Sequence, residues 1–168
     1  MASFQERVIG AVKLDPRAYA GVKADVNAFG LSMGVVGASA VAAGIGSLGG
    51  AGIVAGIFRF ALAWAAWAGI MFIVGTRILP EKQTQDDPRA FLRPVGLAAA
   101  PGAGQILGIV PVIGPYLMFV AICWMIVATV FGVKSALNYT DTGRAAAVVG
   151  IGLIFFVAFY LIVSALFG

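Results

Sequence analysis

Histidine is absent from the chain, and cysteine occurs once, at Cys123. Without histidine there is no imidazole to ligate haem, chlorophyll or zinc, and no Ser-His-Asp relay. A single cysteine cannot form a disulfide within the chain. Cys123 lies inside an apolar stretch, where a buried thiol resists ionisation, so inert packing is its expected role. Charge is scarce as well. Charged residues make up 11% of the 168 positions, against roughly a quarter in soluble domains.

Apolar residues fill the space, at 61% of the chain. Uninterrupted apolar runs of about 18 residues or more read as membrane spans. Five are expected, at about 27–48, 53–78, 95–113, 116–134 and 145–167. The expected fold is all-α: one polytopic membrane helix bundle over 1–168, in which 1–26 form a cytoplasmic and interfacial N-terminal segment. MASFQERVIGAVKLD lacks the apolar core and small-residue cleavage site of a signal peptide.

The placement of charge orients the bundle. Arg7, Lys13, Arg17 and Lys23 precede the first span. Arg77, Lys82, Arg89 and Arg93 lie between the second and third, and Lys134 and Arg144 between the fourth and fifth. All of these fall on one side, which the positive-inside bias makes the cytoplasm. The expected topology is N-terminus in and C-terminus out, in a bacterial cytoplasmic (inner) membrane. Basic residues scattered at helix ends and mixed with acids argue against nucleic acid as a partner.

One phrase recurs: DPRAY at 15–19 and DPRAF at 87–91. Asp15 and Asp87 suit a helix N-cap, accepting from orphan N–H groups. Pro16 and Pro88 suit the first helical position, where a missing N–H costs nothing. Arg17 and Arg89 are expected to face cytoplasm or lipid phosphate. Tyr19 and Phe91 are expected as aromatic anchors at the membrane interface. Upstream, Phe4, Val8, Ala11 and Val12 recur at helical spacing. They predict a short amphipathic helix, lying in the inner interface or packed on the cytoplasmic loops.

The first span, GLSMGVVGASAVAAGIGSLGG, is built largely of Gly, Ala and Ser. Gly30 and Gly34, Ala40 and Gly44, and Gly46 and Gly50 are small pairs four apart. Such faces let helices approach closely. The span is therefore expected at the bundle centre or at an interface with another subunit. In the second span, Trp64 and Trp67 are expected to pack on that small-residue face. A chromophore or quinone site is the less favoured reading of the pair, because nothing polar accompanies them in sequence. Arg59 is the one basic residue away from the cytoplasmic side, and a charge there must snorkel or be paired. Lipid phosphate, outer-loop carbonyls, the C-terminal carboxylate of Gly168 and a partner protein are its candidates. The third span, RPVGLAAAPGAGQILGIVPVIGP, carries Pro101, which removes a helical hydrogen bond, and the polar Gln105. A break there needs protein or water to satisfy the freed carbonyls. Pro111, Gly114 and Pro115 are expected to turn the chain into the fourth span.

In this order the features resemble the Yip-domain family, Rab-interacting membrane proteins and their bacterial relatives. The likeness rests on the charged N-terminal helix with its LDPRAY entry, the five spans, and the third span followed by LMFVAICWMIVATVFGVKSAL. It implies the fold and topology, and brings no catalytic residues. The Asp-Leu-Tyr-Gly-Pro motif of eukaryotic members does not occur here.

Three functions are weighed. The first is a non-catalytic scaffold or accessory subunit that binds the bilayer and other integral membrane proteins, or itself, through small-residue faces. The second is a small transporter or channel using the broken third helix. The third is an interfacial enzyme drawing on Asp86, Asp87, Asp141, Lys134, Tyr139 and Asn138. Those residues sit at helix ends as caps and anchors, without a nucleophile–base pair or metal spacing. The expectation is the first function, with no enzyme activity, cofactor or metal.

Overall fold

The computed structural model describes residues 3–47 and 52–167, with side chains as far as Ala158. Among the described residues the fold is helical throughout, without strands. Three helices are long and apolar enough to cross a membrane: Ala28–Gly46, Ile53–Ile78 and Gly114–Ala136.

The chain opens with a helical hairpin, α1 (Phe4–Val12) and α2 (Pro16–Ala24). Ser3 and Glu6 form a reciprocal capping box at the start of α1. The turn passes through Leu14 in the left-handed region, at φ 61°. Asp15 caps α2, its carboxylate accepting from the Arg17 N–H at 2.9 Å, with Pro16 in the first turn as expected. Tyr19 is fully buried, and its hydroxyl donates to the Ala11 carbonyl at 2.8 Å. Trp124 Nε1 donates to the Val12 carbonyl at 2.8 Å. The hairpin thus leans on the bundle, and Lys23 of α2 also donates to Asn138, in the connection that follows Gly114–Ala136. Ala11 is buried, while Phe4, Ile9 and Val12 leave an apolar edge outside.

The Arg7–Asp25 ion pair, 2.8 Å, closes the base of the hairpin. The Arg7 hydrogen bond, with help from the Asn27 N–H, holds the Asp25 carboxyl below its ordinary value of 3.8. A depressed carboxyl stabilises the fold above its unfolded value and loses that contribution as pH falls through the folded one. Between about pH 5 and pH 3, the melting temperature of the native chain should fall more steeply than that of Asp25→Asn. Parallel slopes would contradict this.

Helix α3 (Ala28–Gly46) leads to α4 (Gly52–Ile73), which ends in a π-turn at Val74–Ile78. Tyr139 reaches that turn from the far side of the chain. Its hydroxyl lies 2.8 Å from the Gly75 carbonyl and 2.6 Å from that of Leu79. Burial, the largest influence, pushes its phenol upward. Tyr139→Phe leaves both carbonyls without this donor and should cost about 1–3 kcal/mol, read as a lower unfolding midpoint.

The third apolar segment departs from expectation. Instead of one helix over 95–113 kinked at Pro101, it is two pieces: α5 (Pro88–Leu97) and a 3-10 helix, Ala100–Ile109. The break falls at Ala98 and Ala99, before the proline. Pro101 sits in the first turn of the 3-10 helix, where it needs no N–H donor. Protein supplies the missing bonds: Ser39 of α3 donates its hydroxyl to the Ala99 carbonyl at 2.8 Å. The broken element packs between α3 and α6 (Gly114–Ala136), and α7 (Thr142–Phe167) packs on α4 and α6. Val112, at φ 66°, lies in the turn into α6.

The second DPRA phrase behaves like the first. Asp87 caps α5 through the Arg89 N–H at 2.9 Å, with Pro88 in the first turn. Arg17 and Arg89 are exposed, as expected. The aromatic positions correct the reading: Tyr19 and Phe91 are not interfacial anchors. Phe91 is 1% exposed and meets Phe72 edge-on, ring centres 5.3 Å apart. Four residues past each cap, the side chain turns onto the helix face that packs on the bundle.

Candidate functional site

The first feature is α3, whose glycine-rich sequence gives it two unlike faces. Ala40 and Gly44 turn inward. A Cβ on Gly44 would come within 2.6 Å of the Ile53 carbonyl oxygen of α4. Gly30 and Gly34 turn outward, with Gly37, Ala38 and Val41 continuing the same face. No heavy atom lies within 4 Å of where a Cβ would stand at Gly30, Gly34 or Gly37. Central packing and an open small-residue face therefore coexist on opposite sides of α3. Gly50 lies outside the described residues.

The second feature is a half-open pocket on the apolar part of the bundle. Trp64 and Trp67 border a cavity of about 260 Å³ between α4, the 3-10 helix, α6 and α7. The small-residue face of α3 meets α4 earlier, at Ile53 and Ile57. The walls of the cavity are almost wholly apolar, Met125, Ile126 and Phe156 among them. Gln105 joins them at 3% exposure, so a polar group does accompany the tryptophans in space, contrary to the reading along the chain. Two donors stay unsatisfied: Gln105 Nε2 and Trp67 Nε1 are buried without a hydrogen-bond partner among the described residues. Leaving such a group unpaired costs about 1–3 kcal/mol.

A third feature is a broad groove at the charged end, about 980 Å³, where α2, α5 and α6 meet. Lys23, Arg93 and Lys134 line it with Asp86 and Asp87. Arg93 is 7% exposed. Its guanidinium donates to the Lys23 carbonyl at 2.6 Å and to the Arg89 carbonyl at 3.3 Å, with no carboxylate in ion-pair range among the described residues. Burial, and secondarily the Arg93 charge, lowers the Lys23 ammonium below its ordinary value. Along the chain, Arg93 counts among the basic residues of the connection between the second and third spans. Its spacing, three residues after Ala90 and four before Leu97 on α5, was the available sign of burial.

Arg59 faces outward from α4 and makes no ion pair or hydrogen bond among the described residues; Gly168, one candidate partner, lies outside them. Cys123 also faces outward, so it is not the buried packing residue expected. Asp141 caps α7 through the N–H groups of Gly143, at 2.9 Å, and Arg144, at 3.1 Å. The chain matches no protein-family model, no curated protein and no solved structure.

Proposed function

We propose that this chain is a non-catalytic integral membrane protein, a scaffold or accessory subunit that docks other membrane helices on α3. The observation that carries this reading is the open face of Gly30, Gly34 and Gly37. Without side chains there, another helix can approach closely and gain van der Waals contact. The proposal includes five crossings, the N-terminus in the cytoplasm, and a bacterial inner membrane. A third crossing gains support from length. Ten α and ten 3-10 residues end to end run roughly 35 Å, against about 30 Å of hydrocarbon. Its cost is that the charged hairpin tip, Lys13 and Asp15, stands near Trp124 in mid-α6 and needs water or headgroups at that depth. Membership of the Yip-domain family belongs to the same proposal and rests on the sequence resemblance alone.

A photo-crosslinking residue at position 34 should give a discrete, saturable adduct in native membranes. The same residue at position 154, outward on α7, is the control. Equal, diffuse labelling from both would count against docking on α3. A second reading, transport, draws on the broken helix and the buried Gln105. It predicts proteoliposome flux that Gln105→Leu abolishes.

A further inference from the structure

We propose that the groove at the charged end of the bundle seats the phosphate of a membrane phospholipid headgroup, held by Arg93, Lys23 and Lys134. Such a site needs α3 and α6 to cross a membrane, for which both are long and apolar enough, and is independent of any helix docked on α3.

Three observations meet there. The first is a buried charge without a counter-charge. Arg93 is 7% exposed, and no carboxylate stands in ion-pair range of it among the described residues. Buried charges are ordinarily paired. The neighbouring carboxylates are engaged elsewhere: Asp25 with Arg7 at 2.8 Å, Asp86 with Arg77 at 3.0 Å, and Asp87 as the cap of α5. The second is the closeness of the cations. Arg93 Nη1 donates to the Lys23 carbonyl, and after burial it is the Arg93 charge that lowers the Lys23 ammonium. That ammonium donates to Asn138, four residues past Lys134, and all of them line the one groove. Like charges so gathered repel, and an anion among them removes the repulsion.

The third is a set of donors left open. Arg93 Nε and Nη1 donate to carbonyls, whereas Nη2 makes no hydrogen bond among the described residues and is not sealed off as Gln105 Nε2 and Trp67 Nε1 are. Ser135 Oγ, also in the lining, is open in the same way. Each lysine uses one of its three N–H groups, Lys23 on Asn138 and Lys134 on the Thr142 hydroxyl. A phosphate supplies several acceptor oxygens in a geometry that guanidinium fits. The position of the groove makes a lipid the source. Val26 lines it, 77% exposed and just ahead of α3, and α6 ends in it through Phe131, Lys134 and Ser135. Headgroups stand where crossing helices begin and end, and basic pockets between such helices take lipid phosphates.

The test is native mass spectrometry of the full chain in a maltoside detergent, where a retained lipid appears as added mass, separate from any protein assembly. Dioleoylphosphatidylglycerol is the probe, and dioleoylglycerol is its match in tails without the phosphate. Retention of the first and not the second is expected. Lys23→Gln and Lys134→Gln should each weaken it about fivefold, and together about 25-fold, as about 1 kcal/mol for each basic residue implies. Lys82→Gln removes one charge from an exposed position outside the groove and should leave binding unchanged. Arg93→Gln should weaken it at least as much as either lysine change; if that variant fails to fold, the two lysines carry the test. Equal retention of both lipids, or unchanged binding in the folded double-lysine variant, would overturn the proposal. Displacement of the lipid by millimolar glycerol 1-phosphate would overturn it too, by assigning the groove to a soluble phosphate ester.

Discussion

Gly46→Ala should cost about 3 kcal/mol, the upper end of the usual penalty for overpacking. Gly46 ends α3 where it touches the 3-10 helix. A methyl group there collides with the Gln105 backbone carbonyl. The facing position is equally tight: a Cβ on Gly108 would lie 2.5 Å from the Gly46 carbonyl oxygen. Both obstacles are backbone, so no side chain can rotate away, and the 3-10 helix must move. Gly37→Ala is the control. It sits in the same helix with open space around it, and the gain in helix propensity, about 1 kcal/mol, should leave stability level or raised. Thermal unfolding in one detergent decides between them. Equal melting temperatures for Gly46→Ala and the native chain would show that α3 and the 3-10 helix do not meet there.

Phe91→Ala should be comparably damaging, at about 3 kcal/mol, the lower end for a buried phenylalanine. Phe91 is 1% exposed and holds α5 against α4 through Phe72. Lipid surroundings favour the lower end, because an apolar side chain gains little by leaving lipid for protein; the loss is chiefly contact and cavity. Were Phe91 an interfacial anchor, its truncation would change stability by a few tenths of a kcal/mol, as surface substitutions do. Arg89→Ala, two residues away and exposed, should show that smaller effect.

The local parts of this fold were legible. Asp15 with Pro16 and Asp87 with Pro88 start helices because caps depend on neighbours in sequence. The long apolar helices follow from composition, since runs of that length have few other uses. What escaped was relational. Tyr19 and Phe91 read as interfacial because each lies in the first turns of a helix that leads toward a span; only the bundle shows which helix face turns inward. The break in the third segment was read at Pro101, whereas the chain uses that proline to begin the 3-10 helix three residues after α5 ends. Trp67 and Gln105 stand 38 positions apart, and nothing along the chain announces that they share a cavity. The two roles of α3 were read as alternatives. The helix has both a packed face and an open one, because inward and outward positions alternate with a period that the Gly and Ala pattern obscures.

The most direct test of the docking claim is native mass spectrometry after purification in a mild detergent, comparing the native chain with Gly30→Leu/Gly34→Leu. The docking account predicts an assembly of fixed stoichiometry for the native chain. It predicts a single 17.2 kDa chain with unchanged melting temperature for the variant, because both leucines point into open space. A native chain that emerges alone, or a variant that keeps the same assembly, would contradict it.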